Sequence, residues 1–429
     1  MAAARPEARV STVALGYVAL RVLAARGAAT GIYPDSSAYE RIALLPFPSS
    51  AFFRGTKPWG LPLLYKILPG DPAVAAPVAQ LAISIAAWLV VAVAVLRCLS
   101  GRQMREVAFA AVLLFSLSSS IGLWDADLLS ESLSLSLMAL LVAALLTLAR
   151  RPTVLVGMAA VAAATLWAGT RDTNAYAVVL LAPLASAVIW RAGRIHLALV
   201  VTAAFVAAGG TAIAASASTA RSELLLMDVV DERVLDEPAA RAFFVQRGLP
   251  VRPGLRRTLF ARRSVLTRYE QDPELANVRE WLTRHGGRTY MAYLLEHPRA
   301  SLVTPLRQLP SILSPNGLDG YAAPGYEPIL PRRFDPGRRP GGTALLLFGV
   351  LALGTAAVAA LRRRAARTWL VPIVLLLISV PQALLVWDGE PIEVGRHGLL
   401  VGQTARLALL VLALLMADAA SRRAEEHVA

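Results

Sequence analysis

The chain has 429 residues, 56% of them hydrophobic and only 17% charged, with a mean hydropathy of +0.55. A soluble protein of this length carries charge on about a quarter of its residues, so an ordinary soluble enzyme is excluded and membrane spans must dominate. The formal charge of +14 invites a nucleic-acid reading. Many of the arginines, however, fall in short turns between apolar runs, and no nucleic-acid-binding module is present, so these read as topology signals.

Apolar runs able to cross ~30 Å of hydrocarbon, about 17–25 residues each, recur at 10–26, 75–96, 107–121, 128–149, 153–169, 174–190, 195–215, 343–361, 369–387 and 399–417. The expected fold class is therefore all-α, a polytopic transmembrane helix bundle of about ten spans, of which the third and fifth are short. Arg21 interrupts the first run and Ala24-Ala25-Arg26 makes a poor cleavage site, so this run reads as a retained anchor rather than a signal peptide. With the N-terminus inside, the cytoplasmic turns collect Arg97, Arg102, Arg105, Arg150, Arg151, Arg191, Arg194, Arg362, Arg363, Arg364, Arg367, Arg422 and Arg423. The opposite short turns hold little basic charge beyond Arg171 and Arg396, and this asymmetry places both termini in the cytoplasm of a plasma (inner) membrane protein. A single cysteine, Cys98, rules out intrachain disulfides and cysteine zinc sites.

Three regions follow. Residues 1–215 form an N-terminal transmembrane module with a first outer loop at 27–74. Residues 216–342 form an extracytoplasmic helical cap, and 343–429 the C-terminal spans and tail. In the first loop, Asp35 stands in Tyr33-Pro34-Asp35-Ser36-Ser37-Ala38-Tyr39. Ser37-Ala38-Tyr39-Glu40 has capping-box spacing, which assigns the cap to Ser37 and leaves the Asp35 carboxylate free. The stretch from Phe52 to Lys66 holds both lysines of the chain, and its aromatics and prolines suit short helices at the lipid interface.

Farther along, Asp125 and Asp127 join the third and fourth spans, with Glu131 opening the fourth. Arg171 and Asp172 join the fifth and sixth, and Asp388, Glu390, Glu393, Arg396 and His397 lie before the last. On the expected topology all of these reach one face. Acids beside a few cations suit an acceptor hydroxyl and a phosphate. Each acid alone also fits a plain role at a helix end, and Arg171 fits a structural pair with Asp172. Asp125-Ala126-Asp127 has the D-x-D form of a metal-bound nucleotide-sugar site; the acids read as site-lining, with a divalent cation left open. There is no G-x-x-x-x-G-K-[ST] loop and no H-E-x-x-H, and with five histidines a rich transition-metal site has little to draw on.

These pieces resemble the GT-C superfamily of polytopic glycosyltransferases, particularly its actinobacterial-type members. The matching segments are Pro34-Asp35-Ser36 with Tyr39, Arg54 to Tyr65, Leu129-Ser130-Glu131-Ser132-Leu133, Thr170-Arg171-Asp172-Thr173-Asn174-Ala175-Tyr176, and Glu393-Val394-Gly395-Arg396-His397. Many members carry an Asp-Glu pair where this chain has Asp35-Ser36, which sets it apart from the protein O-mannosyltransferase branch. The resemblance implies an inverting transferase that moves a pentose or hexose from a polyprenyl-phosphate carrier in the bilayer to a glycan or glycoconjugate acceptor. Asp35 maps onto the family's first-loop acid and would be the base. Arg396, with Arg171 and His397 in support, would hold the donor phosphate, while Asp125, Asp127, Glu131, Asp172, Tyr39 and Glu393 would line the acceptor side. Two other readings stand beside it: a lipid-linked sugar flippase or transporter, and a non-catalytic partner subunit of the same scaffold. Transporters favour repeated halves and midplane charges, whereas here the polar cluster lies at one mouth.

Overall fold

The computed structural model describes residues 6–217, 219–262, 272–314, 318–361 and 367–428. Among them the chain is helical throughout, apart from one isolated parallel bridge between Gly31 and Asp127. Among the described residues, seven helices are long and apolar enough to cross a membrane, eight if one bent pair counts as a single span. The chain is thus a multi-pass membrane protein. Of the basic turns used to orient it, Arg362, Arg363 and Arg364 lie outside the described residues.

The first half runs α1 (Pro6–Ala25), α2 (Ser36–Leu44), α3 (Ser50–Phe53), α4 (Gly60–Ile67), α5 (Pro72–Cys98), α6 (Arg102–Ser116) and α7 (Ser119–Gly122). It continues through α8 (Glu131–Arg150), α9 (Val154–Ala168), α10 (Asp172–Trp190), α11 (Ile195–Ser216) and α12 (Thr219–Val229). Local chemistry sets several starts. The Asp71 carboxylate accepts from the Ala73 amide at 2.8 Å, with Pro72 in the first turn of α5. Thr153 caps α9 through the Val156 amide.

The expected ten spans become seven or eight for physical reasons. The third breaks by 57° between α6 and α7, where Ser116, Ser118, Ser119 and Ser120 supply hydroxyls that can satisfy a broken helical ladder. The buried Asp335 carboxylate takes the Ser119 amide at 2.9 Å and the Ser119 hydroxyl at 2.6 Å, and also meets Ser118. Helix α9 has 15 residues, about 22 Å at ~1.5 Å per residue, short of a full crossing. Helix α1 carries Arg9 and Arg21 and is not among the seven.

Helix α8 is the centre of the bundle, packed against α5 and α9 and buried over most of its length. Its serines are absorbed locally, as when Ser136 donates to the Ser132 carbonyl at 2.8 Å. The helices between Thr219 and Glu296 gather around a second core that includes Met227, Phe243, Phe244, Trp281 and Tyr293. The chain then returns to the bundle, where Arg406 of the last helix (Val394–Val428) donates to the Leu313 and Pro340 carbonyls, each at 2.9 Å.

The start of α2 differs from expectation. The helix begins at Ser36, and Asp35 occupies the cap position without using its side chain to cap a helix amide. Ser37 does not cap; its hydroxyl donates back to the Pro34 carbonyl at 3.2 Å. The Ser36 hydroxyl takes the Tyr33 amide and donates to the Leu128 carbonyl, both at 3.0 Å. The first loop is thereby stitched to the α7–α8 connection, where Gly31 N–H donates to Ala126 O at 3.0 Å and Leu128 N–H to Gly31 O at 2.9 Å. A Cβ at Gly31 would come within 2.0 Å of Asp127 Oδ1, so only glycine permits this approach.

Candidate functional site

The segments that lead into α2, α8, α10 and the last helix meet at one end of the bundle. They wall a cavity of about 570 Å³, roofed by α12. Asp35 stands at its wall with a quarter of its side chain exposed. One carboxylate oxygen lies 2.8 Å from Lys57 Nζ and the other 3.0 Å from Arg396 Nη2. Burial works to raise this carboxyl, but the two cations outweigh it and hold Asp35 well below the ordinary carboxylate range. Burial likewise opposes the charge on Lys57, and Asp35 with Tyr39 more than offsets it, so the ammonium is strengthened.

Arg396 is the hub. Its Nε lies 3.1 Å from Glu131, its Nη1 3.1 Å from Glu393, and its guanidinium stands 5.5 Å from the Tyr321 ring centre. Arg171 reaches Glu131 at 3.5 Å and contacts His397 Nδ1, which also touches Glu390. The second terminal nitrogen of Arg171 is buried with no hydrogen-bond partner among the described residues. An anion entering here meets cations already engaged by acids, with one guanidinium edge unclaimed. An anion bound here would exchange partners with those acids, and each carboxylate released would become more basic.

Asp35, Tyr39, Arg171, Asp172, Glu393, Arg396 and His397 all line this cavity. Glu131 lies directly beneath it, buried and holding Arg171 and Arg396. The D-x-D acids do not line it. Asp125 is buried in an ion pair with Arg21 and accepts from the Ser132 hydroxyl at 2.7 Å. Asp127 is fully buried behind Gly31, with neither oxygen hydrogen-bonded among the described residues. Burial, with Glu131 adding repulsion, pushes its carboxyl up to about 8. Both were expected to line the acceptor side; the bridge between Gly31 and Asp127 turns them inward instead. Among the described residues no group of three or more His, Cys, Asp or Glu side chains is gathered as metal ligands.

Sequence reasoning overlooked Lys57, Tyr321 and Arg221 as site residues. Lys57 had a readable signal, since it is one of two lysines in a chain whose other basic side chains, histidines aside, are all arginine. Tyr321 and Arg221 gave none, because each reaches the site from the distant 216–342 region. A second cavity of about 560 Å³ lies between α10, α11 and the helices Gly287–Glu296 and Leu370–Gly389. Its walls are apolar, with Tyr176 and Asp388 as the ionisable members. It offers no cation to grip a phosphate.

No protein-family model matches the chain, and no curated protein matches it in sequence. Among solved structures, it is similar to the archaeal oligosaccharyltransferase AglB from Archaeoglobus fulgidus in complex with an inhibitory peptide and a dolichol-phosphate. That alignment has 13% identity and a TM-score of 0.48, covering 99% of this chain and 52% of that one. The apo form of the A. fulgidus oligosaccharyltransferase aligns with 12% identity and a TM-score of 0.49 over 99% and 52% of the two chains. A form tethered to an acceptor peptide containing the NVT sequon aligns with 12% identity and a TM-score of 0.47 over 95% and 49%. The chain thus spans about half the length of these structures, and a likeness at this level assigns it no activity.

Proposed function

We propose that this protein is an inverting glycosyltransferase that moves one sugar, a pentose or hexose, from a polyprenyl-phosphate carrier to an acceptor hydroxyl. The reaction would take place on the extracytoplasmic side of the plasma membrane, during assembly of a cell-envelope glycan or glycoconjugate, with both termini in the cytoplasm. The observation that carries this reading is the placement of one carboxylate, Asp35, between Lys57 and Arg396 on the wall of a cavity at the end of a membrane bundle.

The acceptor oxygen attacks the anomeric carbon on the face opposite the phosphate. The new C–O bond forms as the anomeric C–O–P link breaks, the hydroxyl proton passes to Asp35, and the bonding pair leaves with the polyprenyl phosphate. Paired with two cations, Asp35 is too acidic to serve as an effective base. The donor phosphate relieves this by drawing Arg396 and Lys57 toward itself, so donor binding switches the carboxylate on. Arg396 suits the phosphate because a planar fork can make two parallel bonds to it. Arg171, with an unclaimed edge, adds a further contact. No second acid is required, since a phosphate is a competent leaving group on its own.

The direct test supplies a synthetic polyprenyl-phosphate sugar to the purified protein in lipid and follows the label. Sugar appearing on an acceptor, and disappearing in Asp35→Asn, is the expected result. Movement of the intact lipid across the membrane without transfer would make the protein a flippase. Donor binding with neither outcome would make it a partner subunit.

A further inference from the structure

Arg221, in the first turns of α12, is buried to 4% exposure and has no part in the chemistry above. Its guanidinium is spent on two segments that flank the site, the 53–57 loop and the start of α10. Nε and Nη2 donate to the Gly55 carbonyl at 2.9 and 2.8 Å, Nη2 also to the Lys57 carbonyl at 2.8 Å, and Nη1 to the Asp172 carboxylate at 2.8 Å. The 53–60 loop is pressed into place on its other sides by close backbone contacts. A Cβ at Gly55 would meet the Ile42 side chain of α2 at 2.8 Å. The Gly60 amide donates to the Gly169 carbonyl at 2.7 Å, and the Trp59 ring lies so near Gly169 that a Cβ there would come within 2.4 Å of it. Lys57 sits between these anchors, its ammonium 2.8 Å from Asp35.

We propose that Arg221 is a positioning residue: by tying the carbonyls of Gly55 and Lys57 to Asp172 at the start of α10, it fixes Lys57 against Asp35. The 216–342 region then sets the geometry of the carboxylate as well as roofing the cavity. The consequence for turnover rests on the transferase reading; the strap itself does not. An arginine is needed because one planar fork serves two carbonyls and a carboxylate at once, which a single ammonium cannot do. Removing it leaves carbonyls and a carboxylate without their donors.

The chain has only two lysines, Lys57 and Lys66, which makes the strap measurable without any transfer assay. Lys66 donates to the Ala43 and Leu45 carbonyls at 2.9 and 2.8 Å, away from Arg221, and serves as the internal control. The full-length protein in lipid is treated with an amine-acylating probe and labelling at each lysine is read by mass spectrometry. In Arg221→Ala, Lys57 labelling rises about tenfold, as the loss of charge-assisted hydrogen bonds implies, while Lys66 is unchanged. Arg221→Lys keeps a charge for Asp172 and so protects folding, yet it releases the loop and gives the same selective rise. Unchanged Lys57 labelling in both variants overturns the proposal, as does a parallel rise at both lysines, which would make Arg221 a general support of the fold. If the wild type transfers no sugar while Lys57 is selectively exposed in the variants, the transferase reading fails and the strap stands.

Discussion

Two charged clusters lie within the same end of this bundle, and they are built on opposite terms. Around Arg21 and Asp125 every charge is matched. Arg21 donates to Ser84 and to the Ser116 carbonyl, each at 2.8 Å, pairs with Asp125, and Asp125 takes a further bond from Ser132. Both side chains are nearly inaccessible, and only a narrow crevice adjoins them. Around Asp35 and Arg396 the charges border a cavity of about 570 Å³, share partners, and leave one edge of Arg171 unclaimed. Buried charge is costly unless fully compensated, so the closed cluster reads as architecture. The open one keeps groups that can change partners when a ligand arrives. Charge content alone does not separate them; completeness of pairing and access to a cavity do.

The largest effect that would break this contrast is at Asp35. Asp35→Asn lowers transfer by about 10²–10⁴-fold, the usual range for a lost general base, with the thermal midpoint in detergent unchanged. Retained transfer would remove the base from the mechanism. Next comes Asp125→Ala, which strands the Arg21 charge and costs roughly 3–5 kcal/mol of stability. The folded fraction should keep its turnover per molecule, and a selective loss of turnover without destabilisation would move Asp125 into the reaction. Arg396→Ala is expected to lower transfer about 10²-fold, the scale of one lost charge-stabilising donor. That loss should show mainly as weakened dependence on the lipid phosphate, measured by varying the donor at fixed acceptor.

The smallest effect sharpens the comparison from the closed side. Asp127 has its carboxyl raised to about 8 in the fold, above its value in an unfolded chain, ~3.9. Between those values the folded state binds more protons than the unfolded one, so the native carboxyl subtracts stability progressively as pH rises from about 4 to 8. Asp127→Asn removes the titration. The variant's thermal midpoint should gain on the wild type across that window and stay level beyond it. A constant difference from pH 5 to 8 would mean that Asp127 does not titrate there.

Much of the site was legible before folding was considered. Pro34-Asp35-Ser36, Thr170-Arg171-Asp172 and Glu393 to His397 each sit beside an apolar run, and span ends on one face must come near one another. What failed did so for identifiable causes. Asp125 and Asp127 stand at such an end too, yet pairing between Gly31 and Asp127 turned that segment inward, toward Arg21 for Asp125. A one-dimensional pattern carries no signal of which way a connecting turn rolls. Ser37 had the right spacing for a cap, but hydrogen bonding of Ser36 to Tyr33 and Leu128 accompanies a helix start two residues earlier, with Asp35 at the cap position. The third span was foreseen as short, and its four serines hinted at the break, but its partner Asp335 lies over 200 residues away.

The sequence by itself determined that the chain lives in a membrane, is helical, and gathers its ionisable groups at the ends of spans, because hydrocarbon forces backbone bonds to be satisfied within helices and drives charge to the boundaries. Tertiary structure alone decided which charges close on one another and which face a cavity. It also decided that Lys57, held in place by Arg221 from a different region of the chain, stands against Asp35. The physical reason is that desolvation and pairing act over a few ångströms in space, between residues that the order of the chain sets far apart.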